Sequence, residues 1–529
     1  MDEADWAQVA TTLLLKGAMP ATSARHGRGA LIVVSNREPY LHRRRSDGVI
    51  VPVPATGGVP VALDALMREC GGTWIAHGAG EADREVADAN GRLRVPPDAP
   101  AYTLRRIWLT AEEESGYYLG FSNEGLWPLC HDVGVQPVFR REDCAQYRAV
   151  NRRFAEAIAT ELAGSLSPVF MQDYHLALAA RDLRKIQPAV GCALFWHIPW
   201  PDPERLRLCP WRRDLLRGLL GNDVLAFQTD RDRRNFLRCV QEELTLPVTG
   251  GEVRAGERST HVVAIPIGVD FDRIQRVASE PGLLLERERL RRDLRLDDHD
   301  ISVIGIGVDR IDYTKGIPER LAAVERLLEK HPDLRNGLAF VQIAVPSRSK
   351  LATYAATERR IDEQVAEINR RYGRNAEHGP IRYSKTSMKL PRLLALYRLA
   401  DFCIVSSLHD GMNLVAKEFV AARDDLDGVL LLSEKTGAAE ELKDAVIMNP
   451  CDIAGFVDAI ERAISMPAEQ RADRMRKLRR VVADHDVFVW ASGILDNLER
   501  IDGRRKRWST FAATTSRTGT RQLGSNASR

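Results

Sequence analysis

Short, continuous apolar runs recur along the chain, and segments with helical periodicity separate them. The runs are Ala30–Ser35, Val169–Met171, Ala193–His197, Val224–Gln228, His261–Ile267, Ile301–Val308, Ala339–Val345, Phe402–Val405 and Gly428–Leu432. Runs without a polar face are typical of parallel strands that are covered by helices on both sides. The pattern therefore predicts an α/β fold built from doubly wound parallel sheets.

The segments between these runs predict the covering helices. They are Val61–Cys70, Val150–Gly164, Leu283–Leu296, Ala352–Tyr372, Leu414–Ala422 and two segments at roughly 453–466 and 469–484. A second series of strands and helices begins near residue 268, without a long internal sequence repeat. We therefore expect two Rossmann-like domains that face each other across a central cleft.

The same pattern gives five segments. We expect a first Rossmann-like domain at 29–267, a second at 268–485, and a helix at 486–502 that packs back on the first domain. We expect residues 1–28 to form a flexible N-terminal extension. Residues 503–529 contain seven Lys or Arg, no acidic residue and few apolar ones, which predicts a disordered basic tail.

Composition and charge narrow the class of protein. The chain of 529 residues is 44% hydrophobic and 28% charged, as expected of a globular protein. The net charge of +3 becomes negative once the seven cations of the tail are removed, so nothing favours nucleic-acid binding. Eight scattered cysteines without a Cys-x-x-Cys pair, an acidic N-terminus and no membrane-length apolar run together predict a cytoplasmic protein.

The segment Ser406–Ala422 is the first candidate for a binding site. A buried strand, Phe402–Val405, turns through a short loop into the helix Leu414–Ala422. The unpaired N–H groups and the dipole at the start of such a helix suit a phosphate or diphosphate. Glu418, about one turn inside, can accept hydrogen bonds from vicinal ribose hydroxyls, and Asp410 can bind sugar hydroxyls. On the pattern alone, an ordinary strand–loop–helix corner is an equal alternative.

Other strand ends carry further candidates. Arg310 and Lys315 flank the turn after Ile301–Val308 and could hold a diphosphate, although two solvated surface cations would give the same pattern. The Gly-rich turn at Gly57–Gly58 could approach a phosphate closely but is also consistent with a plain turn. The G-x-G-x-x-G fingerprint is absent, since the nearest run, 305–310, lacks the third glycine; a dehydrogenase is therefore unfavoured.

These stretches together resemble the trehalose-6-phosphate synthases, a family of retaining glucosyltransferases with the GT-B fold. The matching motifs, in family order and spacing, are SNR at 35–37, FSNEGLWP at 121–128, DYH at 173–175, HIPWP at 197–201, FQTD at 227–230, DRIDYTKGIPERL at 309–321, PSR at 346–348 and DGMNLVAKE at 410–418. The resemblance covers about residues 30–500. The DGMNLVAKE motif and the Arg-x-x-x-x-Lys-Gly block are highly specific.

The resemblance implies a nucleotide-glucose donor held mainly by the second domain. Arg310 and Lys315 would neutralise the diphosphate, Asp410 would bind the glucosyl hydroxyls, and Glu418 would bind the ribose. The remaining donor-binding positions are Gly57, Gly58, Met388, Gly411, Met412, Asn413, Leu414, Val415, Ala416 and Lys417.

The resemblance also implies a phosphorylated acceptor sugar in the first domain. The positions that would surround it are Arg37, Tyr118, Trp127, Asp173, Gln228 and, from across the cleft, Arg348. Asp173 and His197, together with Arg310 and Lys315, would act at the reacting centre. The family's reaction implies no cofactor and no metal ion, because the leaving phosphate oxygen can itself take the acceptor's proton.

Two departures from the family pattern lie on the acceptor side. Gln172 stands where relatives usually have His, and His77 stands where a Trp is common. Glucose 6-phosphate is the expected acceptor, with glycerol 3-phosphate or another phosphorylated polyol as the alternative. A catalytically silent regulatory subunit is the alternative of another class, and the retained donor-side residues oppose it. The sequence does not decide between UDP-, GDP- and ADP-glucose, or between a homodimer and a homotetramer.

Overall fold

The computed structural model describes residues 30–55, 58–297, 300–373 and 379–501. The expected N-terminal extension at 1–28 and the expected basic tail at 503–529 lie outside the described residues. Within the described ranges, no helix combines the length and the apolar character that crossing a membrane requires.

Eighteen strands form three sheets within the described part of the chain. In chain order they are β1 (Ile32–Ser35), β2 (Tyr40–Arg44), β3 (Ile50–Pro54), β4 (Thr73–His77), β5 (Arg92–Val95), β6 (Tyr102–Ile107), β7 (Val169–Gln172), β8 (Cys192–Trp196), β9 (Val224–Phe227), β10 (Val248–Thr249), β11 (Glu252–Ala255), β12 (Arg258–Ala264), β13 (Val303–Arg310), β14 (Leu338–Val345), β15 (Ile381–Ser384), β16 (Phe402–Val405), β17 (Val429–Ser433) and β18 (Val446–Met448).

Helices cover the two larger sheets. In chain order they are α1 (Gly58–Cys70), α2 (Asp83–Val86), α3 (Ala111–Glu113), α4 (Trp127–His131), α5 (Arg141–Leu162), α6 (Ala179–Ile186), α7 (Pro203–Leu206), α8 (Arg212–Leu219), α9 (Asp230–Leu244), α10 (Phe271–Ala278), α11 (Gly282–Asp293), α12 (Ile317–Lys330), α13 (Leu334–Gly337), α14 (Ala352–Tyr372), α15 (Leu390–Leu399), α16 (Leu414–Ala422), α17 (Ile453–Ile464), α18 (Ala468–Asp484) and α19 (487–501). A wider, π-type helix spans Glu114–Leu126.

Both large sheets have the Rossmann strand order. The six-stranded sheet runs β15-β14-β13-β16-β17-β18, and every neighbouring pair in it is parallel. The ten-stranded sheet contains the parallel series β6-β4-β1-β7-β8-β9-β12, extended by antiparallel edge strands. In each series the first strand lies at the centre and the chain then builds outward on both sides. The structure thus has two Rossmann-like lobes, as the sequence predicts.

The strand order also fixes where each lobe can bind a ligand. In open sheets of this kind the ligand crevice lies beyond the carboxyl ends of the strands where the order reverses. That point lies between β1 and β7 in the first lobe and between β13 and β16 in the second. Arg37 and Asp173 follow the first pair, and Arg310 and Asp410 end or follow the second.

Helix α19 packs against the first lobe. The Trp490 ring lies 5.4 Å from the Phe170 ring and 5.1 Å from the Phe195 ring, measured between centroids. Phe170 and Phe195 point from neighbouring strands, β7 and β8, toward the same face of the sheet. The end of the described chain therefore covers one face of the first sheet next to the cleft.

A buried ion pair ties together the two places where the chain crosses between the lobes. The Lys417 ammonium is fully buried and donates to the Glu441 carboxylate at 2.6 Å and to the Ile267 carbonyl at 2.8 Å. The other Glu441 oxygen contacts His485 Nδ1 at 2.7 Å. The first crossing, at Ile267, and the second, near His485, are thus joined through the helix α16 that carries Lys417.

Replacing Lys417 with Met should destabilise the protein, because the Glu441 carboxylate would lose its buried counter-ion. Removing one partner of a buried pair typically costs about 3–5 kcal/mol. We expect a clear fall in the thermal unfolding midpoint. Lys477→Met, which removes a fully exposed pair with Asp473, should leave the midpoint unchanged. Equal midpoints for the two variants would contradict a stabilising role for Lys417.

Candidate active site

The two lobes meet closely across the cleft between the strand ends. A Cβ atom added to Gly411 would lie 2.1 Å from the His197 carbonyl oxygen, so only glycine fits there. His409 Nδ1 lies 2.6 Å from the His131 carbonyl oxygen and donates to it. The loop after β16 in the second lobe therefore touches the ends of the first lobe's strands.

An ion pair organises this loop. The Lys315 ammonium donates to Asp410 Oδ2 at 2.5 Å, and the Ser407 hydroxyl and the Asn413 amide donate to the same oxygen at 3.1 and 3.2 Å. Burial would raise the pKa of Asp410, but the charge and hydrogen bond of Lys315 outweigh it and hold that pKa below its usual range. Asp410 is thus an ionised carboxylate beside one of the two predicted diphosphate-binding cations.

Asn413 starts the helix that follows the loop. Its backbone has a φ of 90°, and its side-chain oxygen accepts a hydrogen bond from the Ala416 N–H as an N-cap. Asparagine tolerates this left-handed region better than most residues do. Because the cap leaves other N–H groups of the first turn unbonded within the helix, the start of α16 can face an anion.

Glu418 lies one turn inside α16, next to Tyr397. The Tyr397 hydroxyl donates to Glu418 Oε2 at 3.1 Å. Burial raises the pKa of Glu418 to about 7, against an ordinary value of 4.5, and the hydrogen bond from Tyr397 opposes this only in part. The carboxylate therefore lacks a strong cationic partner among the residues described, and it retains capacity to accept further hydrogen bonds.

The other predicted donor-binding positions are distributed around this loop and helix. Gly58 lies against the side chain of Leu414, where an added Cβ would be 2.1 Å from Leu414 Cδ1. Met388 packs on the core beside the helix. The side chain of Lys417 points away toward Glu441, so only its backbone can face a donor. Gly57 lies outside the described residues. The side chain of Met412 and the whole of Ala416 are buried, and Val415 is half-buried.

Three arginines, Arg37 from the first lobe and Arg310 and Arg348 from the second, make part of the cleft strongly basic. The Arg37 side chain is open to the cleft, yet its enclosure by the surrounding protein lowers its pKa, and the charges of Arg310 and Arg348 lower it further. Neither Arg37 nor Arg310 has a side-chain hydrogen bond or ion pair with any residue that the structure describes. The cleft therefore contains positive charge that the described protein residues do not neutralise, which is the signature of an anion site.

Arg348 is the cation that bridges the lobes. Its guanidinium donates to Asp312 Oδ2 at 3.2 Å in its own lobe and to the Tyr174 hydroxyl at 3.2 Å in the other. It also lies 4.1 Å above the Trp127 ring, within range of a cation–π interaction. Its Nε atom is buried without a hydrogen-bond partner in the described structure. Arg348 thus reaches from the second lobe to the first, and its contact with an acceptor phosphate stays a prediction.

Aromatic rings line the first-lobe side of this basic region. The Tyr118 ring stacks on His175 at 5.7 Å, and Trp127 stacks on His131 at 4.1 Å. Burial would raise the pKa of Tyr118, but the charges of Arg348, Arg37 and Arg310 lower it overall. Tyr118 and Trp127 come from the π-type helix and the short α4 that follows it. The predicted acceptor residues Arg37, Tyr118, Trp127 and Arg348 are therefore brought together.

Asp173 and His197 form the floor of the cleft. Asp173 has a φ of 74°, and its side chain accepts a hydrogen bond from the His197 N–H at 3.1 Å. Burial raises the pKa of Asp173 to about 7, and hydrogen bonds from Tyr174 and His197 N–H oppose the shift. Burial lowers the pKa of His197 to about 3, so the imidazole is neutral. A positive φ at a non-glycine residue in a cleft is typical of functional sites.

The Gln228 side chain makes its hydrogen bonds to backbone groups. Its Oε1 accepts from the Ile267 N–H at 3.0 Å, and its Nε2 lies 3.5 Å from the His197 carbonyl oxygen. Both ends of the amide thus face backbone groups. These contacts support the floor of the cleft and the first lobe crossing, and direct contact of Gln228 with an acceptor stays a prediction.

Sequence reasoning missed several residues that hold the site. Tyr174, Asp312 and Tyr354 position Arg348, and His131 and His409 join the lobes. Tyr174 and Asp312 lie inside the motifs DYH and DRIDYTKGIPERL, so their position beside charged site residues is the signal that could have identified them.

Two of the five Asp-x-Asp triplets in the sequence, those at 230–232 and 270–272, lie at helix starts. Asp232 accepts from the Trp200 N–H at 2.9 Å and from the Thr229 hydroxyl at 2.6 Å. Asp270 caps α10 by accepting from the Arg273 N–H at 3.0 Å. These carboxylates have local structural partners, and the metal independence that the resemblance implies stays a prediction.

The sequence matches Glycosyltransferase family 20 over residues 29–500. A trehalose-6-phosphate synthase of Mycobacterium marinum is 38% identical over 493 residues, which cover 91% of this chain and 96% of that protein. The structure is similar to that of an α,α-trehalose-phosphate synthase (UDP-forming) from Burkholderia xenovorans, solved in complex with glucose-6-phosphate. The TM-score is 0.78 at 33% sequence identity, and the match covers 89% of this chain and all of that one. An E. coli structure bound with UDP-2-fluoro glucose gives a TM-score of 0.76 at 30% identity, covering 89% and 99%.

Two Rossmann-like lobes with facing switch points and a basic cleft between them define a GT-B glycosyltransferase. The family match covers residues 29–500, which is nearly the whole described chain. The chain belongs to glycosyltransferase family 20, the trehalose-6-phosphate synthase family, and is an enzyme of the α,α-trehalose-phosphate synthase type. The resemblance stated from the motifs is confirmed.

The raised pKa of Glu418 has a consequence for stability. Because the folded-state pKa of about 7 lies above the ordinary 4.5, the folded protein binds this proton more tightly than the unfolded chain does. Stability from this group is therefore lost as pH rises from about 4.5 to 7. Glu418→Gln has no such loss and should be more stable than the unsubstituted protein above pH 7, by up to about 3 kcal/mol.

The measurement is chemical or thermal unfolding of the ligand-free protein between pH 5 and 8. The difference between Glu418→Gln and the unsubstituted protein should grow with pH. Glu280→Gln, at an exposed position, serves as the control and should show no such growth. A constant difference at all pH values for Glu418→Gln would contradict the raised pKa.

Proposed function

We propose that this enzyme transfers glucose, with retention of configuration, from UDP-glucose to glucose 6-phosphate and so forms trehalose 6-phosphate. The observation that carries the proposal is the unneutralised positive charge of Arg37 and Arg310 in a cleft that Arg348 spans. A reaction with two phosphorylated substrates needs two anion sites close together. The relatives support the substrates, since the Burkholderia xenovorans protein binds glucose-6-phosphate and the E. coli protein binds UDP-2-fluoro glucose.

The donor would be held by the second lobe. Arg310 and Lys315 would contact the diphosphate, together with the N–H groups at the start of α16. Lys315 now pairs with Asp410, whose remaining oxygen is suited to glucosyl hydroxyls. Glu418 would accept hydrogen bonds from the ribose. With Met388 and the segment 410–417, these residues form the proposed donor site within a nucleotide-sugar domain at 268–485, and Gly58 approaches it from the first lobe.

The acceptor would be held by the first lobe and by Arg348. Arg37 and the Nε atom of Arg348 are available for a phosphate. The partly exposed Tyr118 would offer an aromatic face to the sugar ring, and the buried Trp127 would support Arg348 through its cation–π contact. Asp173 would accept hydrogen bonds from the sugar hydroxyls. This makes residues 29–267 the proposed acceptor domain. Since Arg348 belongs to the other lobe, acceptor binding would favour the closed arrangement.

The chemistry would rest on stabilising the departing diphosphate. As the bond from glucose to the diphosphate breaks, negative charge grows on the phosphate oxygens and positive charge on the glucosyl carbon. Arg310, Lys315 and the start of α16 would stabilise the negative charge on the phosphate oxygens. Asp173, near the floor of the cleft, would stabilise the positive charge on the glucosyl carbon. The acceptor hydroxyl attacks from the face that the diphosphate leaves, and its proton passes to a diphosphate oxygen. No group on the enzyme needs to act as a dedicated base.

One set of incubations tests the proposal against its alternatives. The protein is incubated with UDP-, GDP- or ADP-glucose and with glucose 6-phosphate or glycerol 3-phosphate, and the released nucleoside diphosphate is measured. We expect turnover with UDP-glucose and glucose 6-phosphate. Turnover only with glycerol 3-phosphate would select the polyol alternative, and none with any pair would favour a regulatory subunit. Chromatography on the same protein tests the proposed homodimer or homotetramer, and the cytoplasmic location stays a prediction.

Two arginine variants should separate the two anion sites. Arg310→Ala should lower kcat by about 100- to 1,000-fold, because it removes charge stabilisation of the leaving group. Arg37→Met should raise KM for glucose 6-phosphate by about 10- to 100-fold, the loss expected for one charge-assisted hydrogen bond, while KM for UDP-glucose stays unchanged. Arg370→Ala, at an exposed position, is the matched control. An equal effect of Arg37→Met on both KM values would contradict separate sites.

A further inference from the structure

The pair formed by Gln172 and His197 has no role in the steps above. Gln172 ends β7, and its register partner on β8 is Phe195, two residues before His197. Side chains alternate between the faces of a strand, so Gln172 and His197 point to the same face of the sheet. Their side chains meet there, with His197 Nε2 2.9 Å from Gln172 Oε1.

The surroundings of the pair leave one nitrogen of each side chain without a hydrogen-bond partner in the described structure. The Phe195 ring lies 4.5 Å and the Trp490 ring 6.2 Å from it, between centroids. Gln172 and His197 are both buried. His197 Nδ1 and Gln172 Nε2 are buried and have no hydrogen-bond partner among the described residues.

A neutral imidazole carries one proton, on one of its two nitrogens. An amide oxygen can only accept, so Nε2 must carry the proton to make the contact with Gln172 Oε1. The bare Nδ1 is then an acceptor. Groups near a glucosyl carbon that gains positive charge should present lone pairs rather than N–H protons, and this tautomer does so.

We propose that Gln172 is a positioning residue for the transfer reaction, which fixes His197 in the Nε2–H tautomer so that Nδ1 accepts a hydrogen bond from a hydroxyl of the reacting sugar. Glutamine suits this task because its amide does not titrate. A histidine or a carboxylate at position 172 would exchange protons with His197 and make the tautomer depend on pH. The kinetic part of this inference rests on the proposed glucosyl transfer, whereas the tautomer itself does not.

Other charged or titratable groups near the pair have defined positions. Asp173 and His175 from the end of β7 lie beside it, and α19 contributes the neutral Trp490. Asp410, with its partner Lys315, belongs to the loop whose Gly411 approaches the His197 carbonyl. Asp173 bonds the backbone N–H of His197 rather than its ring. Gln172 therefore makes the one hydrogen bond to the ring found among the described residues.

The tautomer is tested directly by nuclear magnetic resonance. The full-length protein is labelled with carbon-13 and nitrogen-15 in its histidine rings, and the His197 signal is identified by its loss in His197→Gln. We expect a neutral ring protonated at Nε2 in the unsubstituted protein, and a changed ring spectrum in Gln172→Met. A ring protonated at Nδ1, or an unchanged spectrum in Gln172→Met, would overturn the proposal whether or not the protein proves to be a glucosyltransferase.

Kinetics then test whether the tautomer matters. A partner that orients a metal-bound histidine is typically worth about 10- to 100-fold in activity, and we expect an effect of the same size here. Gln172→Met should lower kcat within that range and leave KM for the nucleotide-glucose unchanged, at an unchanged unfolding midpoint. Gln187→Met, at the end of α6 away from the cleft, is the control. Normal kcat in Gln172→Met despite a changed His197 spectrum would overturn the positioning role.

Gln172→Glu gives a signature that a merely structural role would not produce. As pH falls, the Glu–His pair takes up one extra proton. If the proton goes to the His197 ring, the ring becomes an imidazolium with both nitrogens protonated. If it goes to the carboxylate, the neutral acid donates to Nε2 and the ring proton sits on Nδ1. In both cases Nδ1 is protonated and can no longer accept a hydrogen bond. The kcat of Gln172→Glu should therefore fall as pH falls, along a limb that is absent from the unsubstituted enzyme. Parallel pH profiles for the two proteins would contradict the proposal.

Discussion

Positive charge without a protein counter-ion, held between two sheet edges, is the constraint on which this structure depends. Arg37 and Arg310 come from opposite lobes, and neither forms an ion pair with a described residue. Arg348 adds a third charge and bridges to Tyr174. Closing such a site without an anion is electrostatically unfavourable, so substrate phosphates can stabilise the closed arrangement through the same contacts that bind them.

The fold supplies that site because each sheet reverses its strand order where the lobes face each other. The ends of β1 and β7 and of β13 and β16 carry the charged residues. The crossings between the lobes are held by Lys417, which is adjacent to Glu418 on α16 and donates to the Ile267 carbonyl, and by Gln228, which accepts from the Ile267 N–H. Helix α16, which would bind the donor, is thus bonded directly to the crossing between the lobes at Ile267. Donor binding and movement of the lobes would therefore both act on α16.

Periodicity and motifs together predicted most of the framework. The helix Ala352–Tyr372 and the pair Phe402–Val405 and Leu414–Ala422 match residue for residue, since apolar runs and capping residues are local signals. Strand β6 was missed because Arg105 and Arg106 interrupt its apolar pattern. Arg106 is nevertheless buried, paired with Glu38 at 2.6 Å and Asp83 at 3.0 Å, a compensation that only the folded chain brings together.

In the candidate site, too, local patterns identified individual residues, but only the fold shows which of them contact each other. Arg310, Lys315 and Asp410 could be proposed from turns and motifs, but the pairing of Lys315 with Asp410 joins residues 95 positions apart. Gln172 appeared in the sequence only as a departure from a family pattern. Its contact with His197 follows from the register of two neighbouring strands, which no local pattern encodes. Gln228 was assigned by motif alone, and its partners in the fold are backbone groups.

The most direct test of this account is a crystal structure of the protein with UDP and glucose 6-phosphate bound together. The account predicts the diphosphate on Arg310, Lys315 and the start of α16, and the sugar phosphate on Arg37 and Arg348. Both anions on one lobe, or either one bound away from these side chains, would contradict the claim that the unneutralised cations of the cleft form two adjacent phosphate sites.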